Sequence, residues 1–464
     1  MSPTAHLFLT DLGAALGINV GGVEFTGTGV LGAPYSMTDL GAACLAGAGA
    51  AVTDLIAATG PMASTDVGGP TGITVDRALA TGLFHRAYRP LRATTRSPFH
   101  PMSRDFLTAD GRWLRFQANY PHLRAATLAV LGTSEDGDEI AAVVAKSKAD
   151  EIEAAVVAGG GAAAASRTVE EWAAHPQGTA VAAEPLVAIA ETGQRASGWA
   201  PVPERPLAGL RVLDMTRVLA GPMATRLLAG FGAQVLRVDP PDYDEPNGIG
   251  SGDLTLGKRC AVLDIKTADG RARFAHLLAD ADLLIHGLRP GALDGLGFDA
   301  ATRQAISPGL IEVTLSAYGW TGPWQDRRGF DTLVQNSTGM ALAGGAWAGT
   351  GKPYRWPLSI IDHSTGYLMA AAAVAAVTRR ARTGRGSVSR VSLARVAHWL
   401  TSGPAQDDEA QLDLPLPGPL DPAVYDSPIG PVRRLRWPME LTGVPFRFDR
   451  PGDPFGSSVP RWIG

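Results

Sequence analysis

The chain predicts an α/β fold, a doubly wound parallel sheet domain accompanied by a smaller α+β domain, and three observations carry that reading. Residues 210–239 read as a strand, a tight loop, a helix and a second strand, which is one βαβ unit. Strands and helices then keep alternating to about Ala317. A proline-rich linker, Pro201-Val-Pro-Glu-Arg-Pro206, sets this region apart from the two hundred residues before it.

Each element of the sheet domain has a local reason. The leucine and valine run at 210–213 fits a strand, Gly221-Pro222 breaks the chain and starts a helix, and Gly232 closes that helix before a strand at 235–238. Further strands are expected at 261–265, 282–285 and 310–315, with helices near 269–278 and 300–306. From Asp362 a long helical pattern runs to Arg382, where Gly384-Arg-Gly386 stops it, and a strand and helix follow over 387–399. A sheet of this kind collects ligands beyond the carboxyl ends of its strands.

The N-terminal part echoes the end of the sheet domain. Ser36-Met-Thr-Asp39, followed by a run of small residues, matches Ser359-Ile-Ile-Asp362 and the alanine-rich run after it. Gly72 to Ala80 then matches Val388 to Ala394, so the chain holds a partial internal repeat. The stretch 145–165, with Gly159-Gly-Gly161, reads as a helix and its glycine stop. No strand precedes it and no Gly-Lys-Ser/Thr follows, so a phosphate loop is not indicated.

Composition excludes several classes. With 464 residues, 45% apolar and 19% charged, the chain has the make-up of a globular protein able to bury a sizeable core. A net charge of −4 and no Lys/Arg run longer than a pair give no field for nucleic acid or anionic membranes. Cys44 and Cys260 stand far apart without metal-binding spacing, so no metal site and a reducing, cytoplasmic setting are expected. No secretory leader is evident, and the longest helix-like apolar stretch, 366–378, falls short of a membrane span.

Six blocks in order resemble the family III CoA-transferases (CaiB/BaiF type), a group that includes formyl-CoA transferase and the α-methylacyl-CoA racemases. They are the 210–239 unit, 257–266, 277–291, 308–323, Gly329-Phe-Asp331 with Ile361-Asp-His-Ser-Thr-Gly366, and Arg382-Thr-Gly-Arg-Gly-Ser387. The resemblance implies a Rossmann-like sheet domain and an interlocked, dimeric architecture. It also implies a rearranged order: 1–95 a partial copy of the second half of a large domain, 96–200 the small domain, 206–400 the large domain, and 401–464 a tail returning to it.

The same resemblance implies the chemistry. The aspartate of Asp-x-x-x-Gly at a helix head, here Asp362, attacks an acyl-CoA thioester and carries the acyl group as a mixed anhydride, on the way to a free carboxylic acid acceptor. Free N–H groups of that helix are expected to hold the carboxylate and to offer donors to an oxyanion. CoA is a substrate here and no tightly bound cofactor is implied. Its pocket would draw on Val218, Leu219, Arg237, Leu263, Lys266, Leu288 and Arg289, with Arg328 nearer the thioester. Asp39, at the equivalent place in the first copy, is expected to be a helix cap or a vestigial site. His363 is expected to be a surface or packing histidine, since adjacent helical residues point about 100° apart. Where the racemases carry Gly-His-Asp this chain has Phe330, which cannot move a proton, so a racemase or an intramolecular CoA isomerase is the alternative. A catalytically silent CoA-binding subunit is the other. The loop 344–354 is expected to lie beside the nucleophile.

Overall fold

The computed structural model describes residues 2–59, 72–92, 99–194, 199–241, 243, 245, 251–356, 359–406, 409–414, 420–427 and 430–463. The N-terminal segment holds α1 (Pro3–Leu16), β1 (Val23–Thr26), α2 (Met37–Thr59), β2 (Ile73–Asp76), α3 (Arg77–His85) and β3 (Tyr88–Pro90). Next come β4 (Asp105–Leu107), β5 (Trp113–Phe116), α4 (Pro121–Leu131), α5 (Gly137–Val144), α6 (Ala149–Ala158), β6 (Ala163–Ala165), α7 (Val169–Ala174), α8 (Pro176–Ala183) and β7 (Ala188–Gln194). The 206–400 region holds β8 (Arg211–Met215), α9 (Ala220–Gly230), β9 (Gln234–Asp239), α10 (Ser251–Leu254), β10 (Lys258–Val262), α11 (Ala268–Ala279), β11 (Leu283–His286) and α12 (Ala300–Ile306). It continues through β12 (Ile311–Ser316), α13 (Asp331–Ser337), α14 (Met340–Trp347), α15 (Ile360–Thr383), β13 (Arg385–Ser392) and α16 (Leu393–Thr401), and the tail adds β14 (Val432–Arg434) and β15 (Met439–Leu441).

Six strands run parallel in the order β10-β9-β8-β11-β12-β13. The connections leave β8 and β11 in opposite directions, so a crevice opens beyond the carboxyl ends of that central pair. The third strand lies three residues earlier than its apolar run suggests, because it begins with a charge. Lys258 is fully buried, its ammonium 3.0 Å from Asp214 Oδ2 and 2.9 Å from the Pro222 carbonyl. A buried cation is tolerated only with such partners, and nothing local announces them.

Two domain boundaries move. Residues 188–194, assigned above to the small domain, form β7 and pair antiparallel with β13 at the sheet edge. The strand is largely exposed and lacks an apolar alternation that would mark it. The tail does not simply return to the large domain: β14 pairs with β3 and β15 with β2, both in the N-terminal segment. It also reaches the large sheet domain, where Trp437 meets Tyr367 and Arg226, Phe446 meets Phe231 and the Ser458 N–H donates to the Cys260 carbonyl.

The repeat is structural. β1, α2, β2 and α3 reproduce β12, α15, β13 and α16, and the antiparallel β15 on β2 answers β7 on β13. The helices α2 and α15 pack against each other in one core cluster. Glycines of α2 permit close approach of its other neighbours, α1 and α3: a Cβ on Gly47 would stand 2.5 Å from Leu12, and one on Gly41 2.4 Å from Phe84. Both helices are long and apolar enough to cross a membrane, and both are buried within the fold. The expectation that no stretch reaches that length is therefore corrected. Polar residues such as Ser364, Thr365 and Thr378 are buried in α15 and hide how far the apolar helix extends.

Candidate active site

Helix α15 is the crossover between β12 and β13, so its first turn stands at the carboxyl end of the sheet. Asp362 lies in that turn and is buried. Gly366, one turn on, fixes the helix against α9: a Cβ there would sit 2.4 Å from the Ala220 carbonyl oxygen. The Asp-x-x-x-Gly spacing thus presses the helix that bears Asp362 against the start of α9, just beyond β8. His363 packs rather than lying at the surface. Its ring stacks on Phe84 at 4.6 Å, and burial and then Arg226 push its pKa down to about 3.

The helix end is not free. Asp331 Oδ2 accepts the N–H groups of Ile361 and Asp362, each at 3.0 Å, and Oδ1 accepts from Gln335 Nε2. Ser359, the residue at the N-cap position, makes no side-chain capping bond. Two of the N–H groups assigned above to the Asp362 carboxylate and an oxyanion are therefore taken by a second carboxylate. Both acids are buried. Burial lifts Asp331 to about 6 despite its hydrogen bonds, and burial together with the neighbouring Asp331 holds Asp362 well above the usual carboxylate range.

The residues proposed for CoA divide into four groups. Val218 and Leu219 follow β8, and Leu288 and Arg289 follow β11, so these four flank the central crevice. Val218 is the one non-glycine residue among those described with a positive φ, 66°, a conformation that costs energy and gathers at functional sites. Arg328 donates to the Gly160 carbonyl at 2.7 Å, and burial and then Arg289 lower its pKa, which places two cations near one another. The Gly159-Gly-Gly161 stop therefore also supplies a carbonyl to the site. Leu263 lies apart, beyond edge strand β10, where it lines a depression of about 610 Å³ with Thr267 and Arg273, and the exposed Lys266 is on the same loop.

Arg237 departs from the expectation. It is fully buried in β9 and ion-paired to Asp239 at 3.0 Å and Glu245 at 3.2 Å, with its guanidinium over the Phe455 ring. A cation so enclosed does not reach a phosphate at the surface. Glu245 also accepts from the Val218 N–H at 3.1 Å and from the Tyr120 hydroxyl at 2.9 Å, and Tyr120 stacks on Phe330. Small and large domains thus meet at the crevice. Tyr120 and Glu245 carry no local sequence signal, whereas Asp331 is visible in Gly329-Phe-Asp331.

Asp39 is committed to structure. It accepts from Arg77 Nε at 2.7 Å and Ser2 Oγ at 2.8 Å, and Arg77 also pairs with Glu409 at 2.8 Å. The loop 344–354 is in part helical, since α14 extends to Trp347. Among the described residues, no cluster of three or more His, Cys, Asp or Glu is placed to hold a metal ion.

Comparison with known proteins agrees with this layout. The model of CoA-transferase family III matches residues 207–425. This region belongs to CoA-transferase family III. The matched span contains the six parallel strands, Asp331 and Asp362. The chain is similar to the acetyl-coenzyme A transferase nodX of Hypoxylon pulicicidum, 34% identical over 211 residues, which are 45% of this chain and 35% of that protein. It is similar to the probable fatty acyl-CoA transferase Rv3272 of Mycobacterium tuberculosis, 31% identical over 242 residues, covering 49% and 61%. Acetyl-CoA:oxalate CoA-transferase of Acetobacter aceti is 35% identical over 202 residues, covering 41% and 51%. The chain thus spans between about a third and three fifths of the length of these CoA-transferase relatives.

Proposed function

We propose that the protein moves CoA between an acyl-CoA and a free carboxylic acid, with Asp362 as nucleophile. The observation that carries this is a buried carboxylate at the head of the crossover helix, set against the β8 loop within the span that matches the CoA-transferase family. An oxygen of Asp362 bonds to the thioester carbonyl carbon, the C–S bond breaks, and its electron pair leaves with sulfur as CoA thiolate. Negative charge passes from carboxylate to thiolate, so the step needs no external proton. The thiolate then attacks the Asp362 carbonyl carbon, which expels the donor acid as a carboxylate and leaves an Asp362 thioester. The acceptor carboxylate attacks that thioester and expels the thiolate, and the thiolate takes the acceptor acyl group from the new anhydride, freeing the Asp362 carboxylate.

CoA is read as lying across the crevice, with Val218, Leu219, Leu288 and Arg289 beside it and Arg328 toward the thioester. Leu263 and Lys266 stand apart from the crevice, on the loop beyond edge strand β10. The partial first copy, packed on α15, supports assembly of the two halves within one chain, and self-association as a homodimer remains part of the proposal. The two free cysteines are buried, which fits a reducing cytoplasm.

The decisive experiment incubates the protein with a panel of acyl-CoA donors and acids, then maps aspartyl adducts by mass. Asp362→Ala is expected to abolish exchange while CoA binding persists. Stability should not fall, because Asp331 and not Asp362 caps the helix and the substitution removes a buried like-charge neighbour. Full exchange in that variant overturns the assignment.

A further inference from the structure

The loss of histidine from Gly329-Phe330-Asp331 draws attention to what the aspartate of that motif does. Asp331 opens α13, thirty-one residues before Asp362, and is itself buried. Gly329 brings it there by packing tightly, since a Cβ would stand 2.6 Å from Ala317 and 2.8 Å from Tyr318. Phe330 turns outward onto Tyr120. Asp331 then meets the end of α15 with one oxygen on two backbone N–H groups and the other on Gln335.

Three donors converge on one carboxylate, and among the described residues no cation pairs with it. Donors of this kind stabilise the ionised form. Its charge therefore stands against the first turn that carries Asp362. The remaining groups facing that turn do not neutralise it: His363 is turned to Phe84 and Arg226, and Arg226 is engaged by Asp253 at 3.0 Å.

We propose that Asp331 is a positioning residue for Asp362, capping the helix that bears the nucleophile and placing beside it a negative charge that acylation of Asp362 relieves. This rests on the reading of Asp362 as the acyl carrier. Attack converts the Asp362 carboxylate into an uncharged anhydride while the leaving pair departs on the CoA sulfur. Repulsion present before the step is absent after it, so the pair favours the acyl-enzyme. An interaction that changes between ground state and intermediate affects turnover, whereas a simple packing contact does not. The raised pKa values of both acids agree with this geometry.

The test is Asp331→Asn, whose amide oxygen still accepts from the two N–H groups while the charge is removed. The variant should fold, keep its KM for the acyl-CoA, lose about tenfold in kcat and accumulate less Asp362 adduct. The acid limb of its pH–rate profile should move down by about one unit or more, because Asp362 ionises more readily without its neighbour. Native kcat and a native acid limb would overturn the proposal while leaving Asp362 as carrier. Failure to detect an Asp362 adduct in the native protein would instead overturn the underlying reading. If Asp331→Asn does not fold, Asp331→Glu decides. It keeps the charge and should hold the acid limb in place, and a downward shift in that variant would refute the role.

Discussion

Replacing Gly366 by alanine tests whether the close contact of α15 with α9 sets the active site. Two effects oppose. Alanine is favoured over glycine in a helix interior by about 1 kcal/mol, which taken alone stabilises the protein. The new Cβ, however, would lie 2.4 Å from the Ala220 carbonyl oxygen, 3.1 Å from Met223 Cβ and 3.2 Å from the Ala220 carbonyl carbon. An ordinary contact needs roughly 1 Å more, and the obstacle is backbone, so the two helices must part. Overpacking of this kind costs about 1–3 kcal/mol and occasionally more, which outweighs the propensity gain. The displacement matters further for chemistry, because Asp362 is one turn away and a shift of about 1 Å in a reacting group can cost about a hundredfold in rate. Urea denaturation and CoA-exchange kinetics should show a less stable enzyme with kcat reduced by roughly two orders of magnitude. A Gly366→Ala protein more stable than the native one and fully active would refute the idea that this glycine positions Asp362.

Two further perturbations separate structure from chemistry. Asp39→Asn should cost about 3 kcal/mol, because it leaves Arg77 in a buried ion-pair site with only Glu409, while peptide mapping should still find acyl adducts at Asp362 and none at Asp39. His286 is buried with neither ring nitrogen hydrogen-bonded among the described residues, and burial and then Arg303 depress its pKa to about 3. Between that value and its unfolded value near 6.5 the unfolded chain alone binds the proton. Its contribution therefore makes stability fall as pH falls through that window, by about 1.4 kcal/mol per pH unit. His286→Leu should flatten the stability profile between pH 6 and 5 by about that amount. An unchanged slope in denaturation curves would refute this.

The parallel sheet and the crossover helix are legible in the sequence because each is written locally: leucine and valine runs, Gly221-Pro222 at a helix start, Gly384 at a helix end. Asp362 is legible for the same reason, as one residue in a short motif. What escapes is whatever depends on partners distant in sequence. The start of β10 is hidden by Lys258, whose neutralising partner Asp214 lies 44 residues earlier. Arg237 reads as a free cation because neither Glu245 nor the Phe455 ring can be inferred from its own strand. The cap of α15 is misplaced onto the helix's own residues because Asp331 reaches it from another helix. β7 is missed because an exposed edge strand needs no apolar alternation.

The pairing of α2 with α15 has a consequence for how the protein is made. About 300 residues separate the two helices, and at a synthesis rate of about 5–20 residues per second the second leaves the ribosome roughly 15–60 s after the first. Throughout that interval α2 is a long apolar helix without its cover, built like a segment bound for a bilayer. An order of synthesis that delays the covering helix thus turns an ordinary core contact into a period of exposure.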